Sequence, residues 1–254
     1  FFLFIHSKIS LYLYSRYSIS MSKNCIVVPV YKEKLSPAEA ISFQQLIHVL
    51  STFDIYIITH SKLNIDEYKN YNPNIHIKYF DERYFESIKG YNQLCLSTEF
   101  YNVFKEYEYM LIAQLDTYIF KNEFNYWTEK NYDYIGAPWL KVNSKGHLFD
   151  LSRFLVNRVG NGGLSLRNIK TFIALSKKYK WLAKLFPKNE DFFWCIIIPL
   201  FERHFSVPPI EIAIQFAIET DPQKAYEMNG NKLPFGCHAF EKHEPEFWRK
   251  FISF

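Results

Sequence analysis

The sequence predicts an α/β fold in which helices cover both faces of a mainly parallel β-sheet. Two observations support this prediction: short apolar runs rich in β-branched residues recur through the first half of the chain, and segments with helical periodicity separate them. The 254 residues are 48% hydrophobic and 22% charged, and no repeat or linker interrupts them. This length and composition suit one packed domain, which we expect over residues 21–254.

The first predicted strand and helix have the clearest signals. Residues 25–31 (CIVVPVY) form an apolar run typical of a strand covered on both faces. Ser36, Pro37 and Glu39 then supply the N-cap, the first-turn proline and the capping-box acid of a helix. Farther along this half, the patterns predict strands over 55–60, 76–80 and 109–120 and a helix over 91–107.

The second half contains less regular signals. The patterns predict helices over 124–130, 169–178, 190–198 and 210–219 and a strand-like segment over 133–139. Pro199 is expected to interrupt the third of these helices, because proline lacks the backbone N–H that a helix interior needs. A polar loop over 141–150 precedes a glycine-rich segment at 160–167.

An acidic residue stands in the apolar run 109–120. Asp116 falls at the end of this predicted strand, and ligands of open α/β sheets sit at the carboxyl ends of strands. A carboxylate supplies the oxygen ligand that a divalent cation bridging a diphosphate requires. Asp116 is therefore a candidate metal ligand, and the alternative is an aspartate that caps the turn after the strand.

Three further segments contain candidate site residues. The run Asn-Gly-Gly at 161–163 has little side-chain bulk, so a sugar or phosphate can approach its backbone, although an ordinary glycine turn has the same pattern. The Glu-Asp pair at 190–191 begins an apolar helix, where carboxylates either face a cleft or only satisfy the helix dipole. His238 lies in an aromatic loop and is either a metal ligand or a packed histidine.

Charge and cysteine usage limit the partners and the compartment. The net charge of +4 is small and the basic residues are scattered, which argues against nucleic acid as the main partner. Widely spaced cysteines predict reduced, mostly buried thiols at Cys25, Cys95, Cys195 and Cys237. Because the chain contains no Asn-x-Ser/Thr sequon, we expect a cytoplasmic protein.

The first 20 residues do not resemble the start of a domain. Met21 directly precedes the first predicted strand, so we expect residues 1–20 to be upstream sequence or an unstructured extension. Lys8 and Arg16 argue against a membrane span, which leaves a peripheral membrane anchor as the alternative. The aromatic segments near Trp181 and over 247–254 are expected to pack onto the core rather than onto a membrane.

The order of the motifs is more specific than any one of them. The chain carries, in order, Q-x-D at 114–116, DYIGAPW at 133–139, GNGGLSLR at 160–167, ED at 190–191 and a glycine–histidine loop at 236–238. In this order it resembles, over nearly all of residues 25–240, an uncharacterised glycosyltransferase-like family of the GT-A type. The resemblance implies a nucleotide-sugar donor and a GT-A-like fold, in which a nucleotide-binding half and an acceptor-binding half share one sheet.

The resemblance also implies which residues contact the nucleoside of the donor. Pro29, Val30 and Tyr31 would line the nucleoside pocket, with Thr59 and His60 beside it. The alternative for residues 29–31 is a plain strand end.

The glycine-rich loop and the Glu-Asp pair would act on the sugars. By the same resemblance, Asn161, Gly162 and Gly163 would lie under the transferred sugar. Asp191 would be the catalytic base of an inverting transfer and would take the proton from a hydroxyl of a glycan or another acceptor. Glu190 would orient Asp191 or bind the acceptor.

The resemblance further implies a divalent metal, Mn²⁺ or Mg²⁺, held by Asp116 and His238. Asp116 would correspond to one acid of the family's D-x-D motif. The sequence departs from that motif, because either Gln114 replaces the first acid or, in the other register, Tyr118 replaces the second. Either register leaves one carboxylate, which argues against tight metal binding, although Gln114 can offer a neutral oxygen.

Two other functions are compatible with a nucleotide-binding α/β sheet. A sugar-phosphate nucleotidyltransferase would carry a glycine-rich loop with a basic residue directly after the first strand, but residues 29–32 (PVYK) contain no glycine. A catalytically inert carbohydrate- or nucleotide-binding domain of the same fold would protect a nucleotide sugar without turning it over. Donor hydrolysis distinguishes this module from a transferase.

Overall fold

A six-stranded mixed sheet forms the centre of the fold. The structure is a computed structural model that describes residues 23–140, 158–186 and 189–254, so the predictions for residues 1–20 and for the loop at 141–150 lie outside the described residues. The strands are β1 (Asn24–Pro29), β2 (Asp54–Thr59), β3 (His76–Tyr79), β4 (Tyr109–Ala113), β5 (Thr117–Ile119), β6 (Tyr134–Ile135), β7 (Pro138–Trp139), β8 (Arg158–Val159), β9 (Leu164–Asn168), β10 (Ala217–Ile218) and β11 (Gly236–His238).

The central sheet has the strand order β3-β2-β1-β4-β9-β6. The first four strands run parallel, whereas β9 is antiparallel to β4 and β6 is antiparallel to β9. The predicted α/β class with a mainly parallel sheet is confirmed, with an antiparallel pair of strands added at one edge.

Helices cover both faces of this sheet. In chain order they are α1 (Pro37–Val49), α2 (Asp66–Tyr71), α3 (Ile88–Cys95), α4 (Thr98–Asn102), α5 (Phe124–Glu129), α6 (Ile169–Lys178), α7 (Lys180–Ala183), α8 (Glu190–Phe192), α9 (Ile198–Phe201), α10 (Ile210–Phe216), α11 (Pro222–Met228) and α12 (Pro245–Trp248). A 3-10 turn (Glu82–Tyr84) precedes α3, and a π-helical segment (Phe193–Ile197) joins α8 to α9.

Alternate side chains of β1 enter two different cores. Ile26 and Val28 belong to the core that contains α1, whereas Cys25 and Val27 belong to the core that contains side chains of α3, α4 and α6. Successive side chains of a strand point to opposite faces, so a strand buried on both faces needs the continuous apolar run that predicted it. The helix α1 begins with the expected capping box at Ser36, and α6 has its predicted bounds.

Several predicted elements are divided in the structure. The run 109–120 is two strands, β4 and β5, because the chain turns after Ala113: both the backbone N–H and the hydroxyl of Thr117 donate to the Gln114 carbonyl. The predicted helix 91–107 is also wrong as one element. Ser97 accepts a hydrogen bond from the Phe100 N–H and so begins a new helix, α4.

The later elements differ from their predictions as well. The segment 133–139 divides into β6 and β7, and the helix predicted over 210–219 ends at Phe216, before β10. Pro199 does not interrupt its helix, which continues to Phe201. Pro199 lies two residues after the π-helical segment Phe193–Ile197, where the hydrogen-bond pattern of the helix has already changed from that of an α-helix.

A smaller sheet of order β10-β11-β5 packs beside the central one. The end of the chain closes a third core against it, with Phe247, Trp248 and Ile252 buried. The core position predicted for the segment 247–254 is therefore confirmed. The same prediction for Trp181 is wrong, because that side chain is 75% exposed.

The four cysteines are free and buried, as predicted. Within residues 23–140, 158–186 and 189–254, no helix has the length and apolar character needed to cross a membrane.

Candidate functional site

The candidate site lies where the two sheets meet, at the carboxyl end of β4. Gln114 and Asp116 belong to the turn that leads from β4 into the smaller sheet. In that sheet β11 runs between β5 and β10, and His238 is paired with Thr117 of β5. The Ala239 N–H also donates to the Asp116 carbonyl, 2.9 Å away. The backbone pairing therefore brings two distant segments of sequence to one point.

His238 contacts acceptor oxygens through both ring nitrogens. Its Nε2 lies 3.1 Å from Asp116 Oδ1 and 3.2 Å from Gln114 Oε1, and its Nδ1 lies 3.3 Å from Glu219 Oε1. Burial lowers the pKa of His238, but its contacts with Asp116 and Glu219 raise it and prevail, to about 9. The imidazole is therefore held as a cation between two carboxylates.

Asp116 has a second cationic partner. Its Oδ2 accepts a hydrogen bond from Lys242 Nζ at 2.7 Å. Burial favours the neutral acid, but the hydrogen bonds and charges of His238 and Lys242 outweigh burial and hold the pKa of Asp116 well below its ordinary range. Asp116 is therefore a carboxylate at neutral pH, and it is shared by two cations.

The glycine-rich loop packs directly under His238. A Cβ on Gly163 would lie 2.2 Å from His238 Nε2, so a side chain there cannot coexist with the imidazole in its present position. The Gly163 carbonyl accepts from the Gln114 N–H at 2.8 Å, which continues the pairing of β4 with β9. The absence of a side chain at Gly163 therefore allows its backbone to pack against the His238 imidazole while it accepts the hydrogen bond from Gln114.

We expect Gly163→Ala to lower the free energy of unfolding by about 1–3 kcal/mol, the usual cost of overpacking. The added methyl group must displace His238 from Asp116, or the loop from β4. Chemical denaturation of the full chain measures the loss. The control is Gly230→Ala, where a Cβ meets nothing within 4 Å. Alanine at its positive φ of 67° is strained by about 1 kcal/mol even without a clash, so only a larger loss in Gly163→Ala reports overpacking. Equal stability of Gly163→Ala and the wild type would contradict the packing argument.

The segments DYIGAPW and GNGG form one packed unit. The Tyr134 hydroxyl donates to the Asn161 carbonyl at 2.9 Å, and a Cβ on Gly136 would lie 1.9 Å from the Gly160 carbonyl oxygen. Asn161 has a φ of 64°, and its Oδ1 accepts from the Gly163 N–H at 3.2 Å. These contacts fix the conformation of residues 161–163 beside Asp116.

A buried ion pair lies beneath Gly162. Arg167 Nη2 is 2.7 Å from Glu190 Oε1, with side-chain exposures of 0% and 4%. Arg167 also donates to Ser165 Oγ and Tyr101 Oη. Burial raises the pKa of Glu190, and Arg167 opposes that increase. Because a Cβ on Gly162 would lie 2.1 Å from Glu190 Oε1, the pair directly supports the loop.

Asp191 follows this pair at the beginning of α8 and is half-buried. Burial raises the pKa of its carboxyl group, and the negative charge of Glu219 adds to that increase. Its Oδ1 accepts from the Phe192 N–H at 2.8 Å. Asp191 is therefore a stronger base than an ordinary aspartate, and it is electrostatically linked to the carboxylate that holds His238.

The residues predicted to contact the nucleoside lie at the carboxyl ends of β1 and β2. Pro29 and Val30 are buried, and Val30 belongs to the core, whereas Tyr31 is 59% exposed. Thr59 is buried, and His60 lies 3.9 Å from Glu82. Only Tyr31 of these five exposes a large side chain, and neither Thr59 nor His60 forms a hydrogen bond or ion pair with Asp116 or His238 in the described part of the chain.

Three residues of the cluster have no assigned role in the sequence prediction. Glu219 lies beside His238 because it directly follows Ile218, and the parallel register pairs Ile218 with Cys237, the residue before His238. Lys242 follows His238 by four residues. This closeness to a candidate ligand was the sequence signal that could have identified Lys242 as part of the site. Arg167 stands within the GNGGLSLR segment, where a charged residue in a buried strand was a signal for an internal partner.

The site offers three donor atoms to a metal ion. Among the described residues, no group of three or more His, Cys, Asp and Glu side chains is arranged to hold one. Asp116 Oδ1 and Gln114 Oε1, however, lie 3.1 and 3.2 Å from His238 Nε2. Neighbouring ligands about 2.1 Å from an octahedral ion are separated by about 3.0 Å. Imidazolium cannot bind a metal ion, but once Nε2 has lost its proton, the two oxygens and this imidazole nitrogen fit Mg²⁺ or Mn²⁺, with substrate and water completing the shell.

Several solved structures of glycosyltransferases have a fold similar to that of this chain. A glycosyltransferase involved in the glycosylation of the major capsid of PBCV-1 aligns with a TM-score of 0.53 at 12% identity, over 91% of this chain and 99% of that one. Mouse xyloside xylosyltransferase 1 aligns with a TM-score of 0.53 at 12% identity, over 86% of this chain and 97% of the mouse chain. The galactosyltransferase LgtC aligns with a TM-score of 0.52 at 14% identity, over 84% of this chain and 86% of the LgtC chain. The predicted GT-A-like fold is confirmed.

Sequence comparison adds the family. No curated protein matches the chain significantly. Residues 74–238 match the model of DUF5672, described as a protein of unknown function. This match covers more than half of the chain and includes the segment from β4 to His238, and the protein therefore belongs to the DUF5672 family.

Proposed function

We propose that the protein is a glycosyltransferase that moves a sugar from a nucleotide-sugar donor to a hydroxyl group of a glycan or another acceptor. The observation that carries this proposal is the cluster of Gln114, Asp116 and His238 against the Gly163 backbone. The cluster lies at the carboxyl end of β4, the side on which open α/β sheets bind nucleotides. The glycosyltransferase-like fold supports the same assignment.

In this proposal the donor lies across the ends of β1, β2 and β4. Pro29, Val30 and Thr59 contribute mainly backbone, because their side chains are buried, whereas the exposed ring of Tyr31 is free to contact the nucleoside. The loop at 161–163 lies beneath the transferred sugar. Its lack of side-chain bulk at Gly162 and Gly163 lets the sugar approach the backbone.

Asp116 and His238, with the neutral oxygen of Gln114, would hold a divalent metal, Mn²⁺ or Mg²⁺. The ion would stabilise the negative charge of the departing nucleotide diphosphate. Glu219 supports this arrangement, because a carboxylate on Nδ1 fixes the imidazole orientation and directs Nε2 towards Asp116. The single carboxylate among the three donors favours weak binding of the metal alone and stronger binding with the donor diphosphate.

Asp191 would act as the base of an inverting transfer. It accepts the proton of the acceptor hydroxyl while the hydroxyl oxygen attacks the anomeric carbon and the bond to the diphosphate breaks. The raised pKa of its half-buried carboxyl group favours this role. Glu190 would act as a positioning residue, since its pairing with Arg167 fixes the beginning of α8 beneath the loop.

The second candidate function is an inert nucleotide- or carbohydrate-binding domain. Lys242 favours it, because its ammonium group occupies Asp116 Oδ2 and neutralises the single acid without a metal. A lysine in this place could bind a diphosphate and leave the donor intact.

Donor turnover tests the proposal. The full chain is incubated with UDP-, GDP-, TDP- and CMP-sugars and Mn²⁺, with and without glycan acceptors, and donor binding, nucleotide release and sugar transfer are measured for wild type and Asp191→Asn. We expect release with at least one donor. Transfer to an acceptor is expected to fall about 10²- to 10⁴-fold in Asp191→Asn, the usual contribution of a general base. Donor binding without release by the wild type would favour the inert domain. Unchanged transfer by Asp191→Asn would remove Asp191 from the mechanism.

A further inference from the structure

A surface formed around α7 exposes large apolar side chains among lysines. We call it the basic face, and it consists of side chains from the end of α6, from α7 and from the residues directly after α7: Lys177, Lys180, Trp181, Lys184 and Leu185. Trp181 is 75% exposed and Leu185 is 72% exposed. Such exposure of two large apolar residues in one short segment marks an interaction surface.

The local packing explains why these side chains point outward. Ala183 and Leu182 pack into the core beneath the sheet, and this contact fixes the rotation of α7. Trp181 is thereby directed to solvent, with Lys184 Nζ 3.8 Å from the centre of its ring. The exposed apolar residues are therefore a result of the fold and not of a frayed helix.

The neighbouring helix α9 extends the apolar area. Tyr179, between α6 and α7, lies 5.9 Å from the ring of Phe201 and donates a hydrogen bond to Glu202 at 2.6 Å. On α9, Leu200 is 73% exposed and Phe201 is 58% exposed. Two adjoining helices thus present leucine and aromatic side chains.

Among the described residues, no carboxylate forms an ion pair with the lysines of the basic face. Lys178, just outside the face, pairs with Glu202. Lys177, Lys180 and Lys184 form no ion pair with a carboxylate within the described ranges. The face therefore combines three uncompensated positive charges with exposed Trp and Leu side chains.

We propose that the basic face binds the surface of an anionic lipid membrane. Tryptophan favours the membrane interface, where its ring meets acyl chains and its N–H meets water. Each lysine near an anionic leaflet contributes about 1 kcal/mol. A protein partner fits less well, because lysine is depleted in protein interfaces.

Vesicle sedimentation with the full chain tests this inference, which is independent of the proposed transfer reaction. Wild type is expected to bind vesicles of phosphatidylcholine mixed with phosphatidylserine and to bind poorly to phosphatidylcholine alone. The double variant Lys180→Gln/Lys184→Gln is expected to bind the mixed vesicles about 30-fold more weakly, from two lysines at about 1 kcal/mol each. Trp181→Ala is expected to weaken binding as well.

Matched controls use exposed residues elsewhere on the surface. Lys105→Gln/Lys224→Gln removes the same charge, and Tyr79→Ala removes an aromatic ring that is 56% exposed. Both controls are expected to bind as the wild type does. Thermal unfolding checks that each variant is folded. Absence of wild-type binding, an equal effect of the controls, or self-association of the protein that is lost in Trp181→Ala would overturn the proposal.

Discussion

Asp116→Asn is expected to reduce metal-dependent nucleotide release at least about 100-fold. The substitution keeps the size and one oxygen of the side chain but removes its negative charge, which at this site balances His238 and Lys242. Loss of one electrostatic group of this kind typically costs about 3–4 kcal/mol of transition-state stabilisation. Nucleotide release is measured over a range of Mn²⁺ concentrations, and Mn²⁺ binding is measured by calorimetry in the presence of the nucleoside diphosphate.

The matched control is Asp66→Asn, which changes an exposed aspartate at the start of α2. It is expected to leave both release and Mn²⁺ binding unchanged. If Asp116→Asn released nucleotide at the wild-type rate, Asp116 would have no part in the reaction. If release fell while Mn²⁺ binding stayed the same, Asp116 would act through His238 or Lys242 rather than as a metal ligand.

Arg167→Met is expected to lower the free energy of unfolding by about 3–5 kcal/mol, the usual cost of breaking a buried ion pair from one side. The loss arises because the Glu190 carboxylate stays in a site that is 3% exposed and no longer has its cation. Urea denaturation at neutral pH measures it. The double variant Arg167→Met/Glu190→Leu is expected to recover a large part of the loss, since it leaves no buried charge.

The control for this prediction is Lys23→Met, which breaks the exposed Lys23–Glu108 pair and should cost less than about 1 kcal/mol.

The pH dependence of the free energy of unfolding gives an independent check. A carboxyl group whose pKa is raised in the folded state contributes stability below its unfolded pKa, and that stability is lost as pH rises through the folded pKa. Burial already raises the pKa of Glu190, and loss of Arg167 raises it further. The loss of unfolding free energy in Arg167→Met, relative to the wild type, should therefore shrink as the pH falls towards 4. A loss that grows on acidification would contradict the buried-charge explanation.

Local sequence signals were sufficient to predict the elements that depend mainly on their own residues. The capping box at Ser36 and the apolar run of β1 predicted α1 and the centre of the sheet. The run 109–120 could not reveal its division, because the strands on either side of Gln114 pair with different sheets. Strand pairing depends on residues far apart in sequence, so the periodicity of one segment does not show which strands it will pair with.

The same distinction applies to the site. Gln114, Asp116 and His238 were expected together through a family resemblance, and their side chains are in contact. Glu219 could not be predicted, because only the register of β10 against β11 places it beside His238. Arg167 was missed since its partner Glu190 lies 23 residues farther along the chain.

The position of the cluster at the junction of two sheets has a consequence for how binding affects flexibility. Gln114 directly follows β4 and Gly163 directly precedes β9 in the central sheet, whereas His238 lies in β11 and Glu219 directly follows β10 in the smaller sheet. Any ligand that binds both groups acts as a crosslink between two separately hydrogen-bonded units. It should therefore slow amide hydrogen exchange in β5 and β11 more than in β2 and β3, the two strands of the central sheet that are farthest from β9 in the strand order.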